Sequence, residues 1–229
     1  MSLTANPALQ SNALLDALLL AATGGMLDAN VFVSHGHVFA CSMTGNVVFL
    51  GVAVFSHDWG EIVRHLVPIG GFFAGVTASK YARSRLTERS LLLLGLTFEA
   101  LVLFVLGWLP TSCPHMVFTI IIAFVAAFQV ASYRRVGSFS YNSTFVTGNL
   151  RDVAEGLYDA IAPGAILEVR EKGRAHALAL GLICLCFLAG AVIGAWAGPR
   201  FANYSLWLAE PLLITATLRV LRHYPQHIQ

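Results

Sequence analysis

Two copies of one short pattern hold most of the chemistry in this sequence. Met43-Thr44-Gly45-Asn46 recurs as Val146-Thr147-Gly148-Asn149. A threonine ahead of a helical pattern suits an N-cap, its hydroxyl accepting a bond from a free amide of the first turn. The glycine lets a second backbone or a ligand come close, and the aligned amides leave a partial positive charge. Asn46 and Asn149 each add an amide that donates and accepts. Thr44, Gly45, Asn46, Thr147, Gly148 and Asn149 thus describe a place to hold a polar or anionic group, and Gln129, deep in an uncharged run, is a candidate to complete it. Asp28, Glu99 and Glu210 stand within apolar stretches, where an ionisable residue is by default a candidate proton carrier or cation ligand.

These residues sit in a chain of 229 residues that is 57% hydrophobic and 11% charged, with a mean hydropathy of +0.71. A soluble domain carries about 25% charged residues. Residues 29–57, 100–133 and 175–199 contain no charge, and each run exceeds the roughly 20 residues of a spanning helix. This composition excludes a soluble enzyme, a nucleic-acid-binding module and a disordered chain. The formal charge of +2 comes with no basic cluster of the size nucleic acid requires. No Lys or Arg precedes Arg64, so a cleavable signal peptide is not expected. The reading is one integral membrane domain over 1–229.

Six stretches read as spans: Ala13–Val33, Leu66–Ala82, Ser90–Leu109, Met116–Tyr133, His176–Gly198 and Ser205–Leu221. The segments His35–Ser56 and Val136–Ala162, which hold the two Thr-Gly-Asn copies, are less regular. The second carries Arg151, Asp152, Glu155 and Asp159, too many charges for a lipid-exposed crossing. Each copy precedes a helix with spaced glycines (Gly71 and Gly75, then Gly190, Gly194 and Gly198) and then a Leu-rich helix with one acid, Glu99 or Glu210. That order describes two repeats, at about 13–110 and 115–222. With six crossings, twelve of the fourteen Lys and Arg fall in the 80–89 and 134–174 loops and the C-terminal segment. The positive-inside rule then places both termini in the cytoplasm. Three crossings per half insert the halves oppositely, the plan of secondary transporters whose broken helices meet near the midplane. A seventh span, with the first Thr-Gly-Asn segment crossing, gives the same loop count.

The segments Gly24-Gly25-Met26-Leu27-Asp28-Ala29, Val38–Asn46, Gly71-Phe72-Phe73-Ala74-Gly75, Phe128-Gln129-Val130-Ala131 and Phe145–Leu150 occur in one order along nearly the whole chain. In this the sequence resembles the YoaK-like family of bacterial multi-pass membrane proteins. The resemblance implies about six spans in the bacterial cytoplasmic membrane and supplies no substrate or activity. One position departs from the family pattern, whose second motif reads closer to Thr-Gly-Thr where this chain has Asn149.

Other motifs have plainer readings. The spaced glycines let helices pack closely, within the chain or between copies. His35-x-His37 and Cys184-x-Cys186 each fall short of a four-ligand metal set. The Lys80/Arg83/Arg85/Arg89 run and Arg134-Arg135 set orientation and contact anionic lipid. No His-Glu-x-x-His or Gly-x-Ser-x-Gly motif is present, so neither an enzyme nor a cofactor is expected. The expected function is a permease for a small polar or anionic solute, coupled to protons through Asp28, Glu99 or Glu210. A structural or partner-binding membrane protein is the alternative.

Overall fold

The computed structural model describes residues 7–133, 135–136, 139–140 and 146–223. Arg134 and Ser143-Thr144-Phe145, which the sequence singled out, lie outside the described residues. The helices are α1 (Pro7–Ser34), α2 (Met43–Phe55), α3 (Trp59–Arg83), α4 (Glu88–Trp108), α5 (His115–Ser132), α6 (Val146–Ile161), α7 (Leu167–Phe201) and α8 (Glu210–His223), the last entered through a 3-10 segment, Ala202–Ala209. Arg135–Val136 pairs with Phe139–Ser140 in a two-stranded antiparallel ribbon.

The chain is an all-helical membrane protein. α1, α3, α4 and α5 are each long and apolar enough to cross a bilayer, as is the stretch Leu167–His223. That last stretch is two passes. At Ala202 the backbone takes φ 49° and ψ −134°, the chain reverses, and the 3-10 segment runs on into α8 through the Glu210 N–H, bonded to Trp207 O. Six passes result. α2 has 13 residues; at 1.5 Å per residue it covers about 20 Å, short of the roughly 30 Å hydrocarbon core. α3 starts seven residues before the expected span because Asp58 caps it, accepting from Glu61 N at 3.1 Å. Thr87 caps α4 in the same way.

Two seams hold the bundle together. On one, α7 lies along α1, with Gly190 against the Ala22 carbonyl and Gly194 against the Met26 carbonyl. On the other, α3 lies along α5, with Gly71 against the Ile120 carbonyl and Gly75 against that of Phe124. Backbones can approach this closely only where there is no side chain. The glycines of both seams are therefore filled from within this chain. α2 packs on α3, α6 on α7, and α4 and α8 on each other, with α4 also on α5 and α8 on α1.

The ends of the bundle are tied differently. At the near end, Arg219 Nε meets Asp16 Oδ1 at 2.7 Å, and Arg89 Nη2 donates to Leu221 O at 2.9 Å. At the far end, Asn203 Nδ2 donates to Leu109 O at 2.8 Å, and Phe104, Trp108, Tyr204 and Trp207 form an aromatic cluster of the kind that sits at a membrane interface.

Candidate functional site

Asp28 is buried on α1, six residues before its end, and organises the loop that follows. One carboxylate oxygen accepts from Cys41 N at 2.6 Å and Ser42 N at 3.3 Å, and the other accepts from the Ser42 hydroxyl. These bonds draw residues 38–42 into the bundle, so α2 starts inside it and runs outward to the far end. Asn46 holds the loop from the other side: Phe39 N donates to its Oδ1 at 3.0 Å, and its Nδ2 donates to Phe39 O at 2.7 Å. His65 on α3 stands 3.4 Å from the same Oδ1. α6 is pinned to α7 where Gly156 and Gly173 face each other's backbone. It starts beside the middle of α7 and runs to the near end. The two short helices thus enter from opposite ends.

Their starts share a cavity of about 550 Å³. Ser42, Thr44, Thr147 and Cys184 supply its polar wall, while Val146, Leu150, Phe187 and Leu188 are among the apolar residues completing it. Thr44 and Thr147, far apart in sequence, both line it. The other sequence candidates are not in this wall. Asn46 is fully buried and engaged with Phe39, Asn149 is buried, and Gln129 is buried on α5 with its Nε2 lacking a partner among the described residues.

Two expectations about the motif need correction. Thr44 is not the cap of α2. Ser42 holds that position, and its side chain makes no cap bond because its hydroxyl is turned to Asp28. This leaves the Thr44 hydroxyl for the cavity. Gly45 and Gly148 are not equivalent: a methyl at Gly45 would stand 2.5 Å from the Phe39 ring, whereas Gly148 has open space. Gly71, outside the motif, has the Ile120 carbonyl 2.6 Å from where a methyl would stand.

The acids differ in their hydrogen-bond partners. Asp28 is saturated by loop donors. Glu99 is 2% exposed, and its Oε2 has no partner among the described residues; Glu210, within electrostatic reach on the facing helix, likewise has an unpaired Oε1. Sequence reasoning missed the buried Asp16–Arg219 pair. Its signal was one acid near the start of the first apolar helix and one base near the end of the last. Replacing Asp28 by alanine strands two buried backbone N–H groups, each at about 1–3 kcal/mol. The expected result is a fall of roughly 2–6 kcal/mol in unfolding free energy in detergent, with Asp28→Asn, which keeps an acceptor, losing less than half as much.

Six passes among the described residues, two short helices that start inside the bundle and a cavity between their starts define a class: a polytopic helical membrane protein with two short helices that do not cross it. The chain belongs to the family described as protein of unknown function (DUF1275), which it matches over residues 17–218. It is 28% identical over 218 residues to the UPF0700 transmembrane protein YoaK of Bacillus subtilis (strain 168), covering 88% of this chain and 93% of that protein. No solved structure matches it.

Proposed function

We propose that this protein is a secondary transporter for a small polar or anionic solute, bound between the starts of α2 and α6 and coupled to protons through Glu99 and Glu210. The observation that carries the reading is that Thr44 and Thr147, on helices entering from opposite ends, line one cavity. Two positive helix ends and three hydroxyls favour an anionic or strongly polar group. The apolar remainder of the wall favours an organic solute over a bare inorganic ion.

The packing supports the two-repeat reading. Exchanging α1 with α5, α2 with α6, α3 with α7 and α4 with α8 maps each of the main contacts onto another: α1–α7 onto α5–α3, α2–α3 onto α6–α7, and α4–α5 onto α8–α1. Exchanged helices run in opposite directions, which is the inverted arrangement of transporters with a midplane site. In this reading the near end, with its excess of Lys and Arg, faces the cytoplasm of a bacterial cell.

Solute uptake into proteoliposomes, with and without a proton gradient, tests the proposal. Thr44→Val and Thr147→Val keep the cavity's shape and remove one hydroxyl each. A lost hydrogen bond of about 1–1.5 kcal/mol should raise KM roughly tenfold per variant while unfolding stays unchanged. Uptake indifferent to both substitutions would place the solute elsewhere.

A further inference from the structure

A second cavity, of about 250 Å³, lies at the far end, where α1 and α7 finish and α5 begins. Ser34, His35, His115, Gly198 and Asn203 are in its wall, and it shares no lining residue with the cavity between α2 and α6. His35 Nδ1 stands 3.4 Å from His115 Nδ1, and the His35 ring stacks on Phe118. Burial and the neighbouring His115 push the His35 imidazole down to about 4, so it is neutral over the ordinary pH range. The Arg64 side chain reaches Gly36, next to His35, and is itself paired with Glu61.

The polar atoms here are short of partners. His35 is 3% exposed, and neither its Nε2 nor the Oγ of Ser34 has a hydrogen-bond partner among the described residues. Further in, Gly198 keeps a gap between Ser34 and Asn30: a methyl there would run into Ser34 Oγ and stand 3.3 Å from Asn30 Nδ2. Asn30 is 1% exposed; its Nδ2 donates to Ser205 Oγ at 2.7 Å, while its Oδ1 is unpaired. Ser205 belongs to the 3-10 segment that leads into Glu210, and Glu210 faces Glu99, each with an unpaired oxygen. Unpaired buried polar atoms thus occur at the far-end cavity, on Asn30 and on the two glutamates, while Ser205, bonded to Asn30, gives its own hydroxyl to Ala202 O. Each unpaired atom would cost about 1–3 kcal/mol if dry, and a polar site with room for it takes up water.

We propose that the far-end cavity is the mouth of a file of bound water that passes Gly198, continues by Asn30 and Ser205, and delivers protons to Glu99 and Glu210. Its purpose rests on the transport reading above; its hydration does not. Water supplies donors to Asn30 Oδ1 and the glutamates and both donors and acceptors to Ser34 and His35. Protons then move along it by exchange of hydrogen bonds, with no side chain other than the glutamates changing charge.

X-ray radiolytic footprinting of the full chain in lipid nanodiscs tests this, because hydroxyl radicals formed from bound water oxidise the side chains beside it. Cys41, 3% exposed and within electrostatic reach of Glu99, reports the inner end, and Met26, 4% exposed in the packed core, is the dry control. With each rate divided by that side chain's intrinsic reactivity toward hydroxyl radical, Cys41 should be oxidised about fivefold faster than Met26, or more, if water lies beside it. Ser34→Val removes a hydroxyl with no protein partner and narrows the passage. It should cut Cys41 oxidation severalfold and leave that of Cys113, in the wall of the far-end cavity, unchanged. Cys41 oxidised no faster than Met26 in the unaltered chain overturns the file, as does Cys41 oxidation that neither Ser34→Val nor Asn30→Leu reduces. The readout requires no solute, so a wet file in a protein without uptake would sink the transport reading alone.

Discussion

Valine in place of Gly190 is expected to leave little folded protein. The Cβ of any larger residue would run into the carbonyl of Ala22, in the longest contact of the bundle. A backbone carbonyl inside α1 cannot rotate away without breaking that helix's own hydrogen bonds, so relief requires α1 and α7 to separate. Separation would also disturb Gly25, which faces the Phe187 carbonyl, and Gly194, which faces that of Met26. Overpacking a core typically costs about 1–3 kcal/mol. Rigid backbone on the opposing side and the coupling along the seam should put Gly190→Val at or above the top of that range. Gly181 lies on the same helix with open space around it, so Gly181→Val serves as the control. Thermal unfolding in detergent should show a large loss for the first and almost none for the second. Equal effects would mean that helix propensity, not the seam, sets the cost.

Glu99→Gln and Glu210→Gln are each expected to abolish proton-driven uptake while leaving the protein folded. Glutamine keeps the size and hydrogen-bonding reach of glutamate but cannot give up or take a proton. Glu99 has a carboxylate oxygen with no partner among the described residues, so little structure depends on its charge. Asp28 differs because three loop groups depend on it. The measurement that separates these roles is uptake with an imposed proton gradient beside solute exchange at equal pH. Loss of the first with retention of the second marks the glutamates as coupling groups. Wild-type coupling in both glutamine variants would remove them from the proposed mechanism.

The Thr-Gly-Asn pattern shows what a sequence can and cannot reveal about such a site. The repetition of Thr44 and Thr147 pointed to paired helix starts, and both residues line one cavity. Asn46 looked equally available in the sequence, yet its amide is taken up by the backbone of Phe39, seven residues earlier. No spacing rule marks that use, because it depends on how the loop folds back over the helix. Thr44 as an N-cap failed for a related reason: Asp28, from another helix, claims the Ser42 hydroxyl and shifts the start of α2.

Composition and hydropathy alone determined that this chain lives in a bilayer as a set of about six helices. In lipid every backbone polar group must be satisfied within its own segment, so long uncharged runs have few alternatives to spanning helices. The 3.6-residue turn likewise determined that glycines four apart share one helix face. Which helix fills that face was a tertiary matter. Gly71 and Gly75 meet α5, and Gly190 and Gly194 meet α1, because close packing selects the backbone that fits, wherever it lies in the chain. The division of the acids was decided at the same level. Asp28, Glu99 and Glu210 are alike as residues in apolar runs, and only the groups each one faces separate a carboxylate bonded by its loop from two with an oxygen unpaired among the described residues.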